Sequence, residues 1–337
     1  PLGLGDLRPH DSQHTSPHWG SLRSWGLNAL ARLVAQSTIT MRWGQNRATE
    51  MGTATLLISG FELAVIAFAF VTLLGDAWAL FVGLAVGYWL GPRFDATTRP
   101  AAATVIGVAT LALAVVLAVK SSTAIPRPAA MPIDPAGLPG GLAGFVAGEL
   151  DSTGFSFPSG HATGATAVYG SLAVLLTIGR RRWRYLIAGT AIGLISLSRV
   201  VLEVHYPRDS IAGILLGGLL VAVGAAVARG DDHLRADRVF LLAGIAAGIG
   251  VVVAWVGGHA EELRHGMIGV GTALGGGGVW YRYGEQLAGE PAVSIPVAAG
   301  GLAVAGGVWI GAYEGVLGLA GALVGGAVGT VIILGLP

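Results

Sequence analysis

"AAATVIGVATLALAVVLAVK", residues 101–120, runs for nineteen residues without a charge and then ends on the only lysine of the chain. Roughly 20 apolar residues are needed for an α-helix to cross the hydrocarbon core of a bilayer. The stretch therefore reads as a spanning helix, and further apolar runs follow it on both sides. Spans are read at about 53–74, 76–91, 101–119, 160–179, 185–203, 208–228, 239–257, 266–282, 292–312 and 316–336. The second is short, and Gly275 to Gly278 weaken the eighth. The whole chain of 337 residues is 53% hydrophobic and only 12% charged, against about 25% charged in soluble domains. The fold class expected is all-α, a polytopic transmembrane helical bundle.

Three regions are expected. Residues 1–50 form a cytoplasmic tail without a spanning run, read as disordered. An alternative there is an interfacial helix carrying Leu22, Trp25, Leu30 and Leu33 on one face. Residues 51–230 form a six-span core. Residues 231–337 form a Gly-rich transmembrane region of about four spans, where small residues let helices approach closely. The absence of cysteine excludes disulfides, thiolate catalysis and zinc–thiolate sites. A net charge of +1 gives no basis for a nucleic-acid partner. The partner implied is the lipid bilayer itself.

The charges between the spans set an orientation. With a cytoplasmic N-terminus, fifteen of the twenty basic residues fall inside, "RRRWR" at 180–184 among them. The five left outside are Lys120, Arg127, Arg199, Arg208 and Arg264. Four of these lie within ten residues of an outer span end, beside His161 and His205, so topology does not account for them.

Three short stretches carry the chemistry. "KSSTAIPRP", residues 120–128, places two cations after the third span. Arg127 precedes a proline and is steered toward extended backbone. "PSGH", residues 158–161, opens the fourth span. There Ser159 suits an N-cap, and the free amides at Gly160 and His161 form an anion site at the positive end of the helix dipole. "SRVVLEVHYPRD", residues 198–209, closes the fifth span and opens the sixth, with Pro207 in its first turn. Asp209, four residues from His205, can hold one imidazole nitrogen and leave the other as a nucleophile. Arg199 adds a planar phosphate ligand. Cations, helix-start amides, two histidines and one carboxylate suit phosphoryl transfer. This inventory favours His205 as the attacking histidine but does not by itself decide between the two.

The joint spacing, Lys-x6-Arg-Pro, then Pro-Ser-Gly-His, then Ser-Arg-x5-His-x3-Asp, resembles the signature of the type 2 phosphatidic acid phosphatase superfamily, in its prokaryotic form. The resemblance covers about residues 53–228. It implies that His205 is the nucleophile forming a phosphohistidine, that Asp209 orients it, and that His161 is the general acid. It also implies that Lys120, Arg127, Ser159, Gly160 and Arg199 bind phosphate. The expected activity is hydrolysis of a lipid phosphate or diphosphate at the outer membrane face, with no metal and no cofactor. The alternative is a multi-span transporter or channel. A vanadate-dependent haloperoxidase shares the same cluster type, but its known forms are soluble and the many spans weigh against it.

Other ionisable residues are read more plainly. Arg208 is a surface charge. Glu203 is either structural or in touch with substrate. Glu62, inside the first span, is unassigned. His259 and His265 flank "AEELR" in a solvated outer loop, and His10, His14 and His18 are incidental to the tail.

Overall fold

The computed structural model describes residues 59–129, 131–151, 153–231 and 233–337. The expectations for the N-terminal tail, its helix and its histidines therefore lie outside the described residues. Helices form at all ten apolar runs, and an eleventh lies in a loop. They are α1 Gly60–Thr72, α2 Ala77–Leu90, α3 Arg99–Thr123, α4 Gly140–Glu149, α5 Gly160–Leu175, α6 Arg181–Val201, α7 Pro207–Val227, α8 Ala236–Gly257, α9 Ala260–Gly289, α10 Ile295–Tyr313 and α11 Gly318–Gly335. No strand is present among the described residues. One isolated antiparallel bridge joins Pro126 and Phe155. The chain is an all-α, multi-pass membrane bundle.

Six helices, α3, α6, α7, α8, α10 and α11, are long and apolar enough to cross a bilayer, or seven spans if the bent α1–α2 pair is one of them. This corrects the count of ten. α1 has 13 residues and α2 has 14. At 1.5 Å per residue each is about 20 Å long, short of the roughly 30 Å hydrocarbon core. The segments Gly60–Gly75 and Ala77–Phe94 meet at a bend of 49°. The sequence expectation of two separate spans here puts the tail on the side of Arg93 and Arg99; the bent pair, taken as one broken span, would not keep that parity. α5 stops after 16 residues. α9 extends over 30 residues and carries Glu261 and Glu262 in its first turn. The four glycines do not interrupt α9, because they are contact points. A Cβ at Gly275 would lie 2.5 Å from the Ala327 carbonyl oxygen of α11, and one at Gly276 would strike the Phe240 ring of α8. Glu62, read as an intramembrane acid, instead caps the start of α1. Its carboxylate accepts from the Ser59 amide at 2.7 Å, and the Ser59 hydroxyl accepts from the Glu62 amide at 3.2 Å.

α3 is the axis of the bundle. Of its most apolar window 72% is buried, against 22–39% in the other five long helices. It packs on α5, α8 and α9, and more lightly on α2 and α7. Its first residue, Arg99, is 1% exposed. The guanidinium donates to the carbonyls of Tyr88 and Glu290, both at 3.2 Å, and of Pro291. This arginine, counted from sequence as a topology signal, ties the end of α2 to the α9–α10 connection. The Tyr88 hydroxyl and the Trp89 indole donate to the Leu334 and Ile333 carbonyls, closing α11 onto the same corner.

The approach of α5 to α7 positions the site. A Cβ at Gly213 would lie 2.8 Å from the Ser159 carbonyl oxygen, and one at Gly217 would lie 2.6 Å from Thr166 Cβ and 2.7 Å from the Thr163 carbonyl oxygen. Backbone on the far side leaves no room to yield. Gly218, the next residue, has nothing within 4 Å. Gly217→Val should therefore destabilise the bundle by about 1–3 kcal/mol through overpacking, whereas Gly218→Val should leave stability nearly unchanged. Thermal unfolding of the two purified variants in one detergent tests the contrast.

Candidate active site

The three motif stretches meet at one end of the bundle, where the backbone itself laces them together. α3 ends at Ala124, whose left-handed conformation (φ 46°) turns the chain out of the helix. The segment then runs extended past Pro126 to Arg127. There the Ser156 amide donates to the Ile125 carbonyl at 2.7 Å, beside the Pro126–Phe155 bridge. The Ser159 amide donates to the Asp209 carbonyl at 3.0 Å, and the His205 amide to the Arg199 carbonyl at 3.1 Å. The first bond joins the first motif to the segment just before the second, and the next joins the second motif to the third.

Ser159 is the N-cap of α5, its hydroxyl accepting from the Ala162 amide at 3.4 Å. The cap satisfies the third amide of the helix. The first two, of Gly160 and His161, are the ones an anion can take. Pro207 is the first residue of α7, and Asp209 lies in its first turn. Asp209 is fully buried, and its Oδ2 accepts from the Tyr206 amide at 3.0 Å.

The pairing of His205 with Asp209 differs from the direct contact expected. Nδ1 of His205 lies 3.7 Å from Asp209 Oδ2, beyond hydrogen-bond range. Ser156 stands between them. Its hydroxyl donates to Asp209 Oδ2 and lies 3.4 Å from His205 Nδ1. The arrangement reads as Nδ1–H toward the Ser156 oxygen and Ser156 O–H toward the carboxylate, which leaves Nε2 with its lone pair. Burial pushes the His205 imidazole down to about 3. Asp209 opposes that shift, and the cations Lys120, Arg127 and Arg199 add to it. The ring is accordingly neutral at ordinary pH, the form in which nitrogen is nucleophilic.

The cations are only partly neutralised by protein. Arg199, 4% exposed, donates to the Thr72 hydroxyl at 2.7 Å and lies 3.7 Å from Glu149. Arg127 donates to the Asp151 carbonyl at 3.3 Å, and its buried Nε has no hydrogen-bond partner among the described residues. Burial lowers the proton affinity of Arg127, against nearby Asp151 and Glu261. Burial raises that of Glu149, as does neighbouring Asp76, while Arg199 lowers it. Lys120 lies within electrostatic reach of Arg127, Arg199, Asp209 and Glu262.

His161 has a partner that motif reading missed. Its Nε2 lies 2.6 Å from Oδ1 of Asp76, at the bend between α1 and α2. Ser156, Asp76, Thr72 and Glu149 all touch site side chains and none belongs to a recognised spacing. The one signal for Asp76 is an acid at the junction of two apolar runs. Arg208 is 67% exposed and stacks on Tyr206, in keeping with a surface charge. Glu203 takes a left-handed conformation (φ 56°) in the turn between α6 and α7. His259 and His265 are not in a solvated loop. His259 meets the Phe155 ring edge-on at 4.7 Å, and His265, within α9, stacks on Tyr313 at 4.9 Å. Through Phe155, the start of the C-terminal region braces the segment that holds Ser156.

Comparison with known proteins matches the segment that holds these motifs. Residues 101–231 match the model of the PAP2 superfamily. The chain is 39% identical over 77 residues to the phosphatidylglycerophosphatase B of Bacillus subtilis, covering 21% of this chain and 38% of that protein. It is 40% identical over 69 residues to an undecaprenyl-diphosphatase of Sulfolobus acidocaldarius, covering 20% and 32%. With a lipid A 1-phosphatase of Rhizobium etli it shares 41% identity over 71 residues, covering 20% and 28%. The chain thus spans about a third of the length of these relatives. No solved structure matches it. The segment over which the chain matches the PAP2 superfamily model, residues 101–231, holds Lys120, Arg127, Ser159, Gly160, His161, Arg199, His205 and Asp209 together.

Proposed function

We propose that the protein is a membrane phosphatase that removes phosphate from a lipid phosphate or lipid diphosphate through a phosphohistidine on His205. The observation that carries this reading is the set of three cations around a buried, neutral histidine whose Nδ1 faces Ser156 and Asp209. Nε2 of His205 attacks phosphorus. Lys120, Arg127, Arg199 and the amides of Gly160 and His161 hold the equatorial oxygens, where charge builds in the transition state. His161 gives a proton to the leaving lipid oxygen. Water then attacks the phosphohistidine, and the phosphorus–nitrogen bond breaks with its electron pair returning to His205. The named relatives act on lipid or polyprenyl phosphates, which supports a lipid substrate.

The reaction is proposed to run without a metal, because cations and amides already supply the charge stabilisation a metal would bring. Among the described residues no group of three or more His, Asp or Glu side chains is spaced to hold a metal ion. Activity should survive EDTA, and vanadate should inhibit by occupying the phosphate site. Phosphate release from a lipid phosphate by the purified protein checks both. Activity lost in EDTA and restored by magnesium refutes the mechanism.

The two histidines should separate by leaving group. General acid catalysis is worth roughly 10²–10⁴-fold, so His161→Ala should cost about that much with a lipid alkoxide and clearly less with p-nitrophenyl phosphate. His205→Ala should abolish turnover of both and trap no acid-labile phosphoenzyme. A trapped label in His205→Ala, together with none in His161→Ala, inverts the two roles.

The site is proposed to face the extracytoplasmic side. Of the fifteen basic residues the structure describes, ten lie at the opposite end of the bundle. The native chain lacks cysteine, so single cysteines report cleanly. Gly137→Cys, on the exposed loop at the site end, should react with an impermeant thiol reagent in intact cells. Arg182→Cys should react only after lysis. The reverse pattern would place the site inside.

A further inference from the structure

The segment Thr72–Asp76 joins α1 to α2 and precedes the matched family region. It reaches the site at two points. The Thr72 hydroxyl, fully buried, accepts from Arg199. Asp76 Oδ1 lies 2.6 Å from His161 Nε2, and its Oδ2 accepts from the Trp78 indole at 3.1 Å. Gly75 brings this backbone against the ring. A Cβ there would lie 3.2 Å from His161 Cδ2 and 2.5 Å from an Ile195 methyl. The Tyr169 hydroxyl, donating to the Leu74 carbonyl at 2.9 Å, holds the same turn from α5.

We infer that Asp76 is a positioning residue for the proton donor, forming with His161 a second Asp–His pair beside that of Asp209 and His205. The inference rests on the phosphatase reading above. The contact engages Nε2 as an N–H donor, so the transferable proton must sit on Nδ1, which makes no hydrogen bond among the described residues. His161 also faces the cations Arg199 and Lys120. A protonated ring there would meet two like charges, and Asp76 supplies the opposing one, with Glu149 further off beside Arg199. As the phosphorus–oxygen bond to the lipid alcohol breaks, its electron pair stays on oxygen and the Nδ1 proton transfers to it. The ring is left neutral, with Nε2–H still on Asp76. In the second half-reaction Nδ1 takes a proton from the water that attacks the phosphohistidine, restoring the starting state. Asp76 touches no reacting atom.

The test uses the full chain in detergent, with a long-chain phosphatidate and p-nitrophenyl phosphate as substrates. Asp76→Asn keeps the size and the Trp78 contact but removes the charge. It should lower kcat for phosphatidate at least about 10-fold, within the range of general acid catalysis, with KM nearly unchanged. Turnover of p-nitrophenyl phosphate should fall far less. Added to His161→Ala, Asp76→Asn should cost nothing further. Asp76→Glu, which keeps the carboxylate, should recover much of the phosphatidate rate, and it covers the case in which Asp76→Asn fails to fold. Trp78→Phe, which removes only the other contact of Asp76, should behave as the native chain. Equal losses with both substrates, an additive loss on His161→Ala, or full activity in Asp76→Asn would each overturn the role while leaving the phosphatase reading intact. A native chain that releases no phosphate from either substrate or from a polyprenyl diphosphate overturns both.

Discussion

The burial of α3 is the constraint from which the remaining arrangement follows. In lipid, helices gain little from hiding apolar surface from one another, and association depends on close packing and on polar contacts between helices. α3 supplies both. Its middle is enclosed by α5, α8 and α9. Its first residue spends the guanidinium donors on carbonyls from two other parts of the chain. With the axis held at that end, the other end delivers Lys120 and the turn at Ala124 to one fixed place. The C-terminal helices α8 and α9 are therefore part of the wall behind the motif helices. His259, between them, leans on Phe155 next to Ser156.

The site lies where membrane helices end, and for a physical reason. Within a spanning helix every backbone group is already paired, so only the terminal turns offer free amides. Those of Gly160 and His161 are left by the Ser159 cap, and polar side chains can gather around them with little cost. Lys120, Arg199 and Asp209 are each in the last or first turn of a helix. Burial then does chemical work. It holds His205 neutral among cations, and it leaves Arg127 and Arg199 each with a buried Nε that no described residue satisfies. A tetrahedral anion is the kind of ligand that such a set of unspent donors accepts.

The bend between α1 and α2 brings two further side chains to the site. A straight helix would carry its apolar face past the site. Broken at Leu73–Gly75, the chain instead presents Thr72 to Arg199 and Asp76 to His161. A glycine at the closest point is required, because any side chain at position 75 would meet Ile195.

Much of this could be read from residues that are neighbours in the chain. The ten apolar runs are helices because unbroken apolar sequence in lipid has no other way to pair its backbone. Ser159 caps α5 and Pro207 opens α7 because caps depend on three or four consecutive residues. The motif spacings placed eight residues in one family segment before any fold was known. Sequence alone parted α1 from α2 but could not tell the angle at which they meet, since the direction between two neighbouring apolar runs is set by packing. It could not separate the loop assigned to His259 and His265 from the start of a helix. It also missed that Ser156 intervenes between His205 and Asp209, and that Asp76 reaches His161 from 85 positions away. These pairings depend on the direction in which packed helices point their ends, and that direction is set by contacts such as Gly213 and Gly217 on α5, where backbone meets backbone. The chemical inventory was local and therefore written in the chain, while the partner of each histidine was decided by tertiary packing.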